Sequence, residues 1–316
     1  MGNIVEKILA VVEEITGSTL LHKGKTKSLT VLTLNAGLLD IKIFGKRILQ
    51  PAPFVNERLS ALPHALTKTK ADIIGLQEVY EPKHKSFLVD SLKKEYPFHF
   101  YSPKKRTFGL ENSLMFFSKY PIVQNDIFTY KNSILEEKFF VYQGFLTVKV
   151  DIPEWGLVNF CNFYTTAGGI HGPESKKAEA ARSLQITQIL NMANNPGKLQ
   201  ILMGDLNAGP EVSKKNYDLF KKAEYLDVIT LKHPYKYPKK TWDPNNKLNT
   251  NGPHRYCPPQ RCDHIFLKAA DTKKLKIEKA DIVLDKEIVP LPSGVKVTVS
   301  DHSGVLARFK KVNKLT

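Results

Sequence analysis

The chain of 316 residues is 42% hydrophobic and 25% charged, an ordinary soluble globular composition with enough apolar material for a sizeable core. Lys and Arg number 47 against 31 Asp and Glu, a formal charge of +16, which suits phosphate-bearing partners (nucleic acid, an anionic membrane, a small phosphorylated ligand) but also describes a merely lysine-rich soluble surface. Three cysteines exclude a disulfide framework, and no stretch is long enough to span a membrane.

In chain order, Asn3 to Ile15 puts Ile4, Ile8, Val11, Val12 and Ile15 on one helical face. Its charges are mostly acidic, which favours a docked helix over a membrane anchor and does not fit the basic start of a secretory signal. Glu6 stands where a myristoylation motif needs Ser or Thr. These features suggest a cytoplasmic protein, or one exported without a standard signal. Residues 17–27 read as a linker, so the expected layout is a helix and linker over 1–27 and one catalytic domain over 28–312.

Ser28 to Leu34 is a strand ending at Asn35, with Gly37 permitting a sharp turn. Asn56 to Thr67 has helical spacing despite Pro63, and Asp72 to Leu76 is a buried strand ending in Gln77-Glu78. Phe87 to Tyr96 follows as a helix and Ser113 to Ser118 as a strand. Gly144 to Val150 and Leu157 to Phe163 form a strand pair. Glu174 to Met192 is a long amphipathic helix. Leu199 to Met203 is an apolar run, too short for a helix, that delivers Asp205 and Asn207 to one side of a strand end. Tyr217 to Ala223 is helical and Thr241 to Cys262 is loop-rich. Within that loop Cys257 and Cys262 are free thiols or a local disulfide. Strands follow at Asp263 to Leu267, Lys274 to Leu284, Val295 to Val299 and Val305 to Phe309. Strands outnumber helices, and hairpins alternate with longer helical connections. The pattern predicts an α/β architecture with two sheets packed face to face and helices outside.

Asn35, Glu78, Tyr164, Asp205 with Asn207, Asp263, and Asp301 with His302 all stand at the ends of apolar strands. Singly, each is an ordinary turn or cap residue. Together they supply hard oxygen ligands, an imidazole and amide donors, the set needed for metal-assisted attack of water on phosphorus. Glu78, with Asn35 or Asp301, is a candidate cation site. His302 and Asp205 are candidates to orient and deprotonate water, Asp263 to fix the histidine tautomer, and Asn207 and Asn35 to hold phosphoryl oxygens.

The ordered pieces Leu34-Asn35, Gln77-Glu78, Gly204-Asp205-Leu206-Asn207, Asp263-His264-Ile265 and Ser300-Asp301-His302-Ser303-Gly304 resemble the endonuclease/exonuclease/phosphatase superfamily. The resemblance implies a four-layered α/β sandwich like that of DNase I, with two mostly antiparallel sheets flanked by helices. It also implies Glu78 as a ligand for magnesium (manganese being an admissible substitute), with Asn35 and Asp301 near the metal. Asp205 would orient water, Asn207 would touch the phosphate, and His302 with Asp263 would transfer protons.

Thr166-Ala167-Gly168-Gly169, with Arg182 and Gln185 on the next helix, is similar to the bacterial-type neutral sphingomyelinases. So are Glu111-Asn112-Ser113 and Thr241-Trp242-Asp243-Pro244, which makes Asn112 and Trp242 candidate substrate contacts. That likeness implies phospholipase C-type cleavage of sphingomyelin to phosphocholine and ceramide. Tyr164 departs from it, because those enzymes usually carry His there, whereas the AP endonuclease and exonuclease III branch carries Tyr. His171, in a glycine-flanked loop, is a candidate to compensate. The alternatives are a nuclease of the same fold, a catalytically silent phosphate-binding relative and, with less support, an inositol-lipid phosphatase. The expected partner is a phospholipid surface, with nucleic acid as the other phosphodiester source and no obligate protein partner. The segment Ile41, Ile43, Phe44, Ile48 and Leu49, among Lys42, Lys46 and Arg47, is a candidate docking surface for peripheral membrane association.

Overall fold

The computed structural model describes residues 27–43, 46–102, 110, 112–135, 137, 143–168, 174–193, 198–234 and 240–312. The expected N-terminal helix lies outside them, as do Phe44 and His171.

The first half of the chain runs β1 (Ser28–Asn35), β2 (Ile41–Ile43), β3 (Lys46–Leu49), α1 (Val55–Lys68), β4 (Ile73–Gln77), α2 (Pro82–Leu92), β5 (Phe98–Tyr101), β6 (Met115–Ser118), β7 (Ile122–Thr129), β8 (Gly144–Ile152) and β9 (Gly156–Tyr164). The second half runs α3 (Lys176–Ala193), β10 (Gln200–Asp205), α4 (Lys214–Lys222), β11 (Tyr225–Asp227), α5 (Val228–Lys232), β12 (Asp263–Lys268), α6 (Ala269–Thr272), β13 (Leu275–Val283), β14 (Val289–Pro290), β15 (Lys296–Val297) and β16 (Gly304–Lys311). One six-stranded sheet has the order β13-β16-β1-β4-β6-β5 and the other β11-β12-β10-β9-β8-β7. Each holds a single parallel pair, β1 with β4 and β9 with β10, among antiparallel neighbours. Parallel neighbours need a crossover, and α1 and α3 supply it. The chain builds three strands of the first sheet plus β5, then the whole second sheet, and returns for β13 and β16.

Alternation along the strands sets the layers. Leu29, Val31, Ile73, Phe160, Ile201, Met203, Ile265 and Leu267 share the core between the sheets. Leu32, Leu34, Ile74 and Leu76 face a second core with α1 and α2. Cys161, Phe163, Leu202 and Phe266 face a third with Ile186 and Ile189 of α3 and Phe220 of α4. Each such side chain, fully buried, contributes about 1.5–3 kcal/mol.

Helix α1 runs through Pro63 unbroken, and α2 begins five residues before the expected Phe87, with Pro82 in the first turn where its missing N–H costs nothing. Strands β5, β7 and β11 carry no clear apolar alternation and were not expected. Residues 41–43 and 46–49 pair as two antiparallel strands, with Ile48 and Leu49 exposed. Cys257 and Cys262 are free thiols.

Candidate active site

The alternation that builds the inter-sheet core also builds the site. Continuing each inward-facing row past its last apolar residue gives Asn35 after Leu29 and Val31, Tyr164 after Phe160, Asp205 after Ile201 and Met203, and Asp263 before Ile265 and Leu267. Register aligns them: Asn35 pairs with Gln77, Asp205 with Tyr164 on one side and with Asp263 on the other. All therefore meet at one rim of the sandwich, and Asp301 and His302 enter beside them just before β16.

Below the rim, Asn162 ties the sheets together. Its Nδ2 donates to the carbonyls of Leu76 and Met115 at 3.0 Å each, and its Oδ1 accepts from Gln77 Nε2 at 2.7 Å. Gln77 Nε2 also reaches Thr33 Oγ1 at 3.0 Å.

At the rim, Asn35 Nδ2 donates to Glu78 Oε1 (3.1 Å) and Asp205 Oδ2 (2.9 Å), joining the two sheets. Asn35 Oδ1 accepts from Gly37 N at 2.9 Å. Tyr164 donates its hydroxyl to Glu78 Oε1 at 2.8 Å, so in this structure the phenol faces a carboxylate. Asp263 Oδ2 lies 2.8 Å from His302 Nδ1, the expected dyad. Ser300 Oγ donates to the Asn35 carbonyl (2.6 Å), lies 3.2 Å from Asp301 Oδ1, and accepts from His302 N (3.1 Å). That one hydroxyl fixes the loop carrying both residues.

Asn207 reaches the site differently from the expected i, i+2 alternation. The strand ends at Asp205, and Asn207 sits in a left-handed turn at φ 48°. Its N–H donates to Asp205 Oδ1 at 2.8 Å and its Nδ2 to the Thr165 carbonyl at 2.9 Å. Asparagine tolerates this backbone because its side chain bonds locally. Glu78 is also left-handed (φ 57°), a conformation costing about 1 kcal/mol or more for a non-glycine residue, and it turns the carboxylate into the rim.

The carboxylates are crowded. Burial, then the charge of Asp301, push Glu78 above the ordinary range against the pull of Asn35, His302 and Tyr164. Burial, then Asp263, push Asp205 up to about 7. Burial alone would push the His302 imidazole down, but Asp263 overrides it and the ring is held well above its usual range. Gly37, at φ +57°, lies so close to Asp301 that an added Cβ would come within 1.9 Å of Oδ1. The two crowded carboxylates relieve their repulsion by taking a hard divalent cation, so Glu78 and Asp301, with the Asn35 amide beside them, fit magnesium.

The substrate candidates sit less centrally. Trp242 is buried, and its backbone bridges to His302 on one side and Gln260 on the other, so it backs the histidine. Asn112 spends Oδ1 on Leu114 N (2.9 Å), which shapes the entry to β6. Two supporting residues, Arg58 and Glu137, were not expected. Arg58, fully buried, donates to the carbonyls of Ala36, Gly37, Ala52, Pro53 and Val299 and clamps the loops beside Asp301. Glu137 accepts from Ala167 N (2.9 Å) and Gly168 N (3.1 Å), while Arg182 and Gln185 hold Thr166. The signal for Arg58 was a lone arginine on the apolar stripe of α1. Glu137 had none.

The family model described as the endonuclease/exonuclease/phosphatase family matches residues 32–302. A Drosophila melanogaster protein provisionally described as a neutral sphingomyelinase is 24% identical over 291 residues; these cover 89% of this chain but 62% of that protein, so this chain spans about three fifths of its relative. Among solved structures, Sphingomyelinase C from Streptomyces griseocarneus superposes with a TM-score of 0.66 at 18% identity, covering 90% of this chain and 99% of the other. A beta toxin mutant from Staphylococcus aureus with bound magnesium ions gives 0.67 at 19%, with 89% and 99% covered. The TDP2 of D. rerio, complexed with a single-strand DNA product, gives 0.65 at 16%, with 90% and 99% covered.

Proposed function

We propose that this chain, which belongs to the endonuclease/exonuclease/phosphatase family, is a magnesium-dependent phosphodiesterase that cleaves sphingomyelin in phospholipase C fashion to phosphocholine and ceramide. The observation that carries the reaction class is the Asn35 amide, which joins Glu78 of one sheet to Asp205 of the other at a rim also holding the His302–Asp263 pair.

A divalent cation on Glu78 and Asp301, with Asn35 beside it, would polarise a phosphoryl oxygen and offset the charge of the leaving group. The chain's own groups do the rest. Asp205, fixed by the Asn207 N–H and the Asn35 amide, orients a water for attack on phosphorus. His302 commits Nδ1 to Asp263, which leaves Nε2 to exchange a proton with the substrate, and the buried carboxylate steadies the imidazolium. The water's oxygen bonds to phosphorus as its proton passes to Asp205, the P–O bond to the ceramide oxygen breaks, and that oxygen takes a proton from the His302 imidazolium. Tyr164, through Glu78, orients the metal-binding carboxylate.

The sphingomyelin reading is supported by the description of the Drosophila relative, by the sphingomyelinase fold neighbour and by the Thr166–Gly168 loop. For a lipid substrate the β2–β3 strand pair offers exposed Ile48 and Leu49 with Lys46 and Arg47, an apolar and basic face for an anionic bilayer. Tyr164 and the +16 charge favour a second reading, a nuclease. The test incubates purified protein and magnesium with sphingomyelin vesicles and, separately, with plasmid DNA. Phosphocholine release, abolished in Asp205→Ala and His302→Ala, is expected. Nicked plasmid with intact vesicles would replace the lipid reading by the nuclease one, and no turnover of either would remove the enzyme reading.

A further inference from the structure

One side chain at the rim has no part in the chemistry above. Cys262 immediately precedes Asp263, and its buried thiol lies 3.5 Å from Asp263 Oδ2, 3.7 Å from His302 Nδ1 and 3.6 Å from Thr241 Oγ1. Ligand atoms of Asp205, Cys262 and His302 all lie within 4.8 Å of one another. Asp263 Oδ1, on a fully buried carboxylate, has no hydrogen-bond partner among the described residues.

The donor chemistry of this cluster differs from that of Glu78, Asp301 and Asn35. Those are oxygen donors, suited to magnesium, which does not take sulfur. A thiolate, an imidazole and a carboxylate are ligand types that zinc takes at a tetrahedral site, three from the protein leaving the fourth position open. Burial, then Asp263, push the thiol up, so Cys262 is a neutral S–H until a soft cation displaces the proton.

We propose that Cys262, His302 and Asp205 form an inhibitory zinc site, separate from the magnesium site and sharing its rim. It rests on the reading of His302 as the proton-transfer group. Zinc takes the place of the thiol proton and of the proton on the His302 nitrogen that it binds, both of which leave to solvent, and no electrons move. The bound ion draws a lone pair from His302 and occupies Asp205, so the two groups that handle water and proton are engaged while Glu78 and Asp301 remain able to hold magnesium. Saturating magnesium therefore does not reverse the inhibition.

The binding test is independent of turnover. Cobalt(II) chloride is titrated into the magnesium-loaded protein and the thiolate-to-cobalt charge-transfer absorbance is followed. A one-to-one band is expected, displaced by zinc and absent in both Cys262→Val and Cys262→Ser, the serine keeping the side chain's shape should valine disturb folding. In the phosphodiesterase assay, with rates taken relative to each protein's own zinc-free rate, the half-inhibiting zinc concentration rises by about tenfold or more in either variant. Absence of the band in the unsubstituted chain overturns the proposal. So does equal zinc sensitivity of all three proteins, which would place the ion on the oxygen donors instead. A band in a protein that turns over no phosphodiester supports the zinc site and counts against the functional reading alone.

Discussion

Replacing Asp205 by Asn is expected to stabilise the metal-free protein while removing its activity. Asp205 is fully buried, and its carboxyl is raised from 3.8 to about 7. At low pH it is neutral in folded and unfolded chains alike. Between the unfolded and folded values the native state keeps its proton and the unfolded chain releases it, so stability falls as pH rises through this window and is flat above it. A shift of about three units amounts to roughly 4 kcal/mol. Asparagine never ionises and escapes the loss. Its NH2 would face the Asn35 Nδ2 donor, and that mismatch takes back about 1 kcal/mol. The variant should thus gain about 3 kcal/mol at pH 8 and almost nothing near pH 4. Urea unfolding in EDTA, with both proteins compared across that range, measures the gap. A gap independent of pH, or a variant less stable at the alkaline end, would refute the argument that burial of this charge is what raises the group. Turnover should fall by about 10²–10⁴ in the same variant.

Asp263→Asn is expected to drop the His302 imidazole toward its ordinary range and lower kcat by about 10²–10⁴, seen as an imidazole titration by NMR beside a steady-state assay. Gly37→Ala drives a methyl into Asp301 Oδ1 and should raise the magnesium concentration for half-maximal rate by about tenfold or more. Asn162→Ala removes three buried hydrogen bonds between the sheets and should cost about 2–4 kcal/mol in urea unfolding. Tyr164→Phe should lose activity through the freed Glu78 carboxylate while Tyr164→His keeps part of it; equal rates in all three proteins would take Tyr164 out of the mechanism.

The strands that carry the site were legible because each ends an apolar run on a polar residue, and period-2 alternation then fixes which face that residue shares. Asn35, Tyr164, Asp205 and Asp263 all obey this. Asn207 does not, since a left-handed turn after Asp205 brings it in, and no periodicity encodes that turn. The strands β5 and β7 were hidden because they flank the outer edge of each sheet and their residues are largely half-buried or exposed, which leaves little alternation to see. Arg58 and Glu137 were hidden for another reason: their partners are backbone groups of distant loops, and carbonyls and amides have no residue letter.

The position of β16 has a consequence for synthesis. It lies between β13 and β1, pairing the last strand with the first, and the Ser300–Gly304 turn that precedes it carries Asp301 and His302. The second sheet is contiguous in the chain and complete once β12 has emerged from the ribosome, so it can assemble during translation. The first sheet can only begin, because the place between β1 and β13 stays open until β16 arrives, and filling it brings together residues as far apart as Ser28 and Lys310. A nascent chain would therefore present Asn35, Glu78, Tyr164 and Asp205 without the histidine. Any activity at this site would begin only once β16 has filled that place and brought His302 to the rim.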